Sequence, residues 1–536
     1  MADKVIKKNQ ALVPFWGDKM SFIKGLDPLG LQNASEKAYS YLLPGLNNVT
    51  GLIRAYSFYC WLLKEYARQM DSTDPAEQKK FIRKAEYILA LLSHQHSIPG
   101  VSGIDYAARQ FGTDDAVFDL QAGIYKPDGS TENTYWAYHF GVFGAYYLGS
   151  MRQIGIIDEP IDMSSGKPLG IYRATNEQNP NLNVTGMALA AAFETRIQPQ
   201  NKALFQHCLE TGVVHRDQLT ALAADFNLRD IRPRDTEWTL LMRLLLDADE
   251  PGIPKEHPVS MRKATLLHVL RLAVRHPEGI APRALAYYAY DVQGMEDGLP
   301  DDCLTGWYYY QLNEYYQYAC TALLNAALDI VVKEVGTGWM SVGDLIEETA
   351  TTVSESIMRA AQKKNHDATL GDIVEAISGS ESELYQQIEK SETELRMTSA
   401  FLLLWKLYQT NATQFNRLKA FISERGLGVE HDVLAFLEQV TKSYNQPLTP
   451  HIASFLLHHI LYRHRFVAFN KMGNGYKSTE KFVIEDNYIR VIDNFDPGFT
   501  GPRLTNLAAF LQDLHLLSSD RKVTEKGLEL LNQRDI

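Results

Sequence analysis

Between residues 463 and 481 the chain gathers Arg463, Arg465, Lys471, Lys477 and Lys481 against Glu480 alone, with His464 and Tyr476 interleaved. Phosphate contacts need cations projecting from one face, and a helix beside a hairpin supplies such a face. Arg503 extends the set, and Arg521, Lys522 and Lys526 follow. Arg463, Arg465, Lys471, Lys477, Lys481 and Arg503 are therefore the candidate nucleic-acid-binding residues. The competing reading is a hairpin edge guarded by lysines against sheet-to-sheet pairing. Residues 450–536 hold 11 basic and 10 acidic residues, so non-specific affinity for DNA or RNA should be modest.

Other chemistries are weaker. His451, His458, His459 and His464 invite a metal reading, but zinc helices place ligands at i and i+4 with a carboxylate or thiolate nearby. Steps of seven and five residues do not meet that spacing, and buried or surface histidines are the expected outcome. His94 and His96, two apart, point to different sides of a helix. In the loop holding Asp105, Asp115, Asp119 and Lys126, a restriction-type core would need an acidic residue, one intervening residue and a lysine. Asp119 and Lys126 are seven apart, so solvated loop carboxylates are expected. Gly166-Lys167 is followed by Pro168, which cannot open a phosphate cradle of N–H groups. No GxSxG elbow occurs, and no cysteine has an evident His/Asn context. The tyrosine-rich run 308–318 could stack bases, yet aromatics spread around a helix usually fill a core or an interface. No catalytic residue, metal ligand set or cofactor is assigned.

The elements that must position these residues read as mostly helical. Leu52, Tyr56, Tyr59, Leu63 and Tyr66 recur at helical spacing. Asp74-Pro75 opens a second helix, with proline at the first turn, where its missing N–H costs little. Lys126-Pro127-Asp128-Gly129 signals a turn. Stripes of leucine and aromatic residues continue from about 201 to 335 across short connections. Residues 341–400 carry twelve acidic against five basic residues and read as a solvated helical segment. Near the end, a helix over 451–466, two strands about Gly473-Asn474-Gly475, a helix over 504–517 and a last helix over 525–532 are expected.

The chain has 536 residues, 45% apolar and 22% charged, with a net charge of −12. That composition excludes a largely disordered chain, and the length suggests about three to four domains, or two large ones. No apolar run approaches the roughly 18 residues of a membrane span. Lys4, Lys7 and Lys8 are not followed by the apolar core of a secretion signal. The scattered cysteines Cys60, Cys208, Cys303 and Cys320 suit reduced, buried positions in a cytoplasmic protein.

Two resemblances add to this. The ending from 447, with its "VTEKGLELL" run from Val523, resembles a winged-helix module. The segments YSYLLPGLNNVT from Tyr39, RAYSFYCWLL from Arg54, YYLGSMRQIGII from Tyr146, WYYYQLNEYY from Trp307 and RLTNLAAFLQDLHLL from Arg503 together resemble large uncharacterised bacterial proteins of anti-phage defence islands. Genes of that group tend to lie beside helicases, nucleases or methyltransferases.

The expected fold is mainly α, a multi-section helical protein with a small α+β winged-helix-like C-terminal module. Its expected sections are an N-terminal helical and loop domain (1–197), a central helical domain (198–446) and the winged-helix-like domain (447–536). The expected function is a non-catalytic scaffold or sensor subunit of a bacterial anti-phage defence system. It would dock protein subunits encoded nearby, of helicase, nuclease or ATPase type, and would touch DNA or RNA through its basic patch. The alternatives are a metal-dependent nuclease built on Asp105, Asp115, Asp119 and Lys126, or a winged-helix transcriptional regulator.

Overall fold

The structure is a computed structural model. It describes the chain apart from residues 1–20, 23–26, 71, 112–116, 178–183, 247–257, 293–294, 297–298, 335–338, 362–367, 473–476, 502 and 533–536. The protein is mainly α, as its apolar spacing predicts, with helix making up 65% of the described residues. In chain order, the helices that carry the argument begin with α1 (Gln32–Leu42), α2 (Arg54–Met70), α3 (Pro75–Gln95), α4 (Thr236–Leu246) and α5 (Pro258–Arg275). They continue with α6 (Asp302–Glu334), α7 (Val342–Ala360), α8 (Thr393–Asn411), α9 (Val433–Ser443) and α10 (Leu448–Phe455), then α11 (Arg463–Met472), α12 (Leu504–Asp513) and α13 (Glu525–Asn532). The strands used below are β1 (Trp339–Ser341), β2 (Phe482–Glu485) and β3 (Tyr488–Val491).

The chain forms two compact units, one of Met1–Ser35 with Leu312–Thr500 and the other of Glu36–Gln311 with Gly501–Ile536. These do not follow the consecutive sections 1–197, 198–446 and 447–536. Each unit is built from segments far apart in sequence, a closure that local patterning does not report.

In the unit of 36–311 and 501–536, α2 is buried along most of its length. Its Trp61 lies among Phe193, Phe205 and Phe226, the last two stacked at 4.3 Å. Asp74 caps α3 by accepting the Ala76 N–H, and Pro75 occupies the first turn. Between α2 and α4 a buried carboxylate, Glu237, gathers three partners. The Arg54 guanidinium meets Glu237 at 3.1 Å, Arg196 reaches the same carboxylate at 3.2 Å, and the Ser57 hydroxyl donates to it.

Arg262 on α5 has a different solution. Its guanidinium donates to the carbonyls of Pro44 at 2.6 Å, Leu244 at 2.7 Å and Leu245 at 3.1 Å. The last two belong to the final turn of α4, where carbonyls have no partner within the helix and carry the negative end of its dipole. Burial pulls the Arg262 pKa down to about 10.

In the unit of 1–35 and 312–500, the tyrosines of α6 fill the core. Tyr315 and Tyr318 pack with Tyr385 and Phe499, and Tyr316 stacks on Phe436 of α9 at 5.1 Å. The acidic segment after residue 341 is helical, with α7 burying Leu345, Val353 and Ile357. The one three-stranded sheet among the described residues has the order β2-β3-β1 and is antiparallel throughout. Asp486 and Asn487 turn the β2–β3 hairpin with φ of 49° and 66°, the left-handed pair of a type I′ turn.

The winged-helix-like module expected over 447–536 does not form one unit. Residues up to Thr500, hairpin included, belong with 312–500, whereas α12 and α13 belong with 36–311. The hairpin takes its third strand from Trp339–Ser341, more than a hundred residues upstream. Residues 466–472, where the first strand is expected, belong instead to helix α11. The Gly473-Asn474-Gly475 turn lies outside the described residues.

Arg262 tests the packing of its unit. Arg262→Ala leaves three buried carbonyls without donors and should cost about 3 kcal/mol or more. Arg262→Lys should recover little of that loss, because a single ammonium cannot reproduce the planar fork. Urea unfolding followed by tryptophan fluorescence measures both variants, and a fully restored lysine variant would contradict the fork argument.

Candidate functional site

The helical stretch from α10 to α11 carries most of the residues singled out above. It runs from Leu448 to Met472 through a π-helical turn over Leu456–Tyr462. Such a turn inserts a residue into the helical phase and re-aims the side chains that follow. One face is buried through Ile452, Phe455, Ile460, Val467 and Ala468.

The buried histidines of this stretch are neutral core groups. His464 donates from Nδ1 to the Pro28 carbonyl at 2.9 Å and accepts the Lys481 backbone N–H on Nε2, also at 2.9 Å. Those two partners define one neutral tautomer. Burial, reinforced by Lys481 and Lys471, pulls its pKa down to about 4. His451 is likewise pulled down to about 4, first by burial and then by His459. His459 stacks on Phe455 and bonds Gln439, while His458 is exposed. The four do not assemble as ligands: among the described residues, His268, Asp301 and Cys303 are the one grouping of three side chains that could share an ion.

Most of the candidate phosphate-binding cations have partners inside the protein. Arg463 donates to the Leu29 carbonyl at 2.8 Å and Lys471 to that of Asp27 at 2.6 Å. Lys481 is buried and paired with Asp493 at 2.7 Å. Arg503 lies in the other unit, where it stacks on Tyr39 and donates to Ser40 Oγ at 3.1 Å. Arg465 is exposed. Lys477 begins a two-residue strand paired in parallel with Ser21–Phe22, and its side chain lies outside the described residues. Three of the six, Arg463, Lys471 and Lys481, thus have partners within their own unit.

The loop carboxylates are engaged locally or point to solvent. Asp119 accepts the Gln121 N–H at 2.8 Å as a cap, and Asp105 is exposed in the first turn of a short helix. Lys126 starts the expected turn, in which the Gly129 N–H donates to its carbonyl. Asp115 lies outside the described residues.

What residue types did not signal is an exposed aromatic face. Tyr462 is 45% exposed, Phe466 60% and Phe469 70%. Steps of four and three place them on one side of the helix, where Arg465 joins them. Residues 448–472 hold Arg463, Arg465 and Lys471 and no carboxylate. Tyr462 also lines a groove of about 660 Å³ whose walls include Val342, Ile346, Glu347, Ala453 and Leu457. The helical spacing of Tyr462, Phe466 and Phe469 marks these positions as one face, a signal that an expected strand over 466–472 hides.

All four cysteines are buried and free, and among the described residues no helix is long and apolar enough to cross a membrane. Comparison with family models, curated proteins and solved structures finds no match.

The two depressed histidines set a pH dependence. Both are neutral in the folded protein down to about pH 4, whereas in the unfolded chain they take up protons below about 6.5. Their contribution is therefore complete above pH 6.5 and lost as pH falls towards 4, by on the order of 2–3 kcal/mol each. Urea midpoints measured between pH 7.5 and 4 should fall through that window. His464→Gln should flatten the fall, and an unaltered pH profile in that variant would contradict the assignment.

Proposed function

We propose that this protein is a non-catalytic scaffold or sensor subunit of a multi-protein bacterial anti-phage defence system, and that it docks an enzymatic partner. The observation that carries the reading is the aromatic face of Tyr462, Phe466 and Phe469. Large rings left in water on a rigid helix are the anchors from which protein interfaces take most of their energy. The absence of carboxylates between 448 and 472, with Arg465 among the rings, selects a partner segment that is apolar and acidic. The adjoining groove beside α7 offers the apolar part of such a segment Val342, Ile346, Ala453 and Leu457, with Glu347 on its wall. The defence context rests on the sequence resemblance, and the partner class on the helicases, nucleases or methyltransferases beside which genes of that group tend to lie.

The same face offers a second reading, because rings interleaved with an arginine also stack single-stranded bases. Docking is favoured because Arg463, Lys471 and Lys481 are held by carbonyls and a carboxylate, leaving few cations for a phosphate chain.

Co-expression with the products of neighbouring genes, followed by affinity purification, tests the reading. Phe466→Glu with Phe469→Glu should weaken capture of the identified partner at least about tenfold, the scale of losing an interface anchor. The melting temperature should hold, since both rings are already exposed. A chain that supports defence alone, or a double variant that binds its partner undiminished, would defeat the proposal. Loss of single-strand binding in the same variant, with steep salt dependence in the wild type, would transfer the face to nucleic acid.

A further inference from the structure

The unit of 36–311 and 501–536 contains a second constellation, unrelated to the aromatic face. His268 on α5 approaches the start of α6, where Asp301 and Cys303 stand two residues apart. The His268 Nε2 lies 3.1 Å from Asp301 Oδ2. The other Asp301 oxygen accepts the Leu304 N–H at 2.9 Å, which caps α6 and orients the carboxylate. The ligand atoms of His268, Asp301 and Cys303 all lie within 4.8 Å of one another. We propose that these three side chains bind one zinc-type divalent cation, which takes the place of the His268–Asp301 hydrogen bond, with His268 Nε2, Asp301 Oδ2 and a Cys303 thiolate as its protein ligands.

The donor set suits the ion. Zinc takes nitrogen, oxygen and sulfur together, at about 2.0–2.3 Å from each, commonly with water in a fourth position. The nitrogen and oxygen already have the spacing of two ligands on one ion, and the sulfur, within 4.8 Å of both, closes the set by an approach on the order of 1 Å. His268 and Cys303 are buried, while the Asp301 side chain is 32% exposed, so water has access on that side alone. A thiolate, a carboxylate and a dication sum to zero charge, which lowers the cost of holding all three away from water.

Cys303 is held in place beside Thr265. The Thr265 hydroxyl lies 3.3 Å from the sulfur, donates to the Leu42 carbonyl at 3.2 Å and accepts the Trp307 indole N–H at 3.1 Å. A Cys–His–Asp nucleophile is the rival chemistry, and burial argues against it. Without an ion the Cys303 thiol is pushed far above its ordinary range, first by desolvation, and a nucleophile must be reached by its substrate. The ion would instead clamp α5 to the start of α6.

Elemental analysis of the untagged full chain, purified without chelator, should find about one zinc per chain. Cys303→Ser and His268→Gln should each reduce that at least tenfold, whereas Cys320→Ser, which removes a buried thiol from the other unit, should not. Replacing zinc by Co²⁺ should produce a near-ultraviolet thiolate-to-cobalt band in the wild type. If Cys303→Ser does not fold, that band decides the matter: its presence supports the site and its absence overturns it. Zinc at background in folded, zinc-reconstituted wild type, or zinc retained in a folded Cys303→Ser variant, would also overturn it.

Discussion

The buried guanidinium bonded to backbone carbonyls is the interaction on which this architecture leans most. A helical protein with long irregular connections leaves many carbonyls at helix ends and in loops without partners, and each must find a donor once covered. Arg83 serves Gly123 at 2.7 Å and also Trp136 and Tyr138. Arg262 does the same for Pro44 and the end of α4, and Arg463 for Leu29 and Gly30. Five donors in a rigid plane let Arg83 and Arg262 each fasten two separate stretches of backbone, at the cost of desolvating a charge. Burial lowers the pKa of both Arg83 and Arg262, the signature of that cost.

This constraint decides what the surface can do. A cation that fastens a loop cannot also meet a phosphate, so the count of basic residues in a segment overstates the charge it offers outward. Between 463 and 481 the difference is large: the half-buried Arg463 and the exposed Lys471 donate to backbone carbonyls, Lys481 is buried against Asp493, and Arg465 stands exposed among aromatic rings. The character of that face changes from electrostatic to apolar, and the class of partner it fits changes with it.

Local features of the fold were legible in the sequence because local physics governs them. The Asp74-Pro75 start of α3, the turn at Lys126–Gly129 and the buried apolar stripes of α2 follow from capping, backbone restriction and helical period. Legibility failed where one segment borrows from another. The hairpin was expected at an Asn-Gly pair, but the described hairpin turns at Asp486-Asn487 and completes its sheet with residues 339–341. The β-rich reading of 466–472 gave way to helix because Val467 and Ala468 bury together one helical turn beyond His464, whose ring bonds Pro28 and Lys481. Likewise His268 and Cys303 are 35 residues apart, beyond any search for ligands at helical spacing.

The π-helical turn over 456–462 ties these observations together. With an uninterrupted α-helical phase, the side chains that bury α10 would predict the buried face of α11 directly, and His451 and His458 would share an orientation two turns apart. The inserted residue breaks that relation: His451 is buried while His458 is exposed and meets Tyr462 edge-on at 5.7 Å. The same shift lets α11 bury His464, Val467 and Ala468 while turning Tyr462, Phe466 and Phe469 outward. A wide turn gives up ideal hydrogen-bond geometry, and such turns persist where the re-aimed side chains serve a purpose. Here one inserted residue both places a neutral histidine between two backbone partners and exposes three rings on the opposite side.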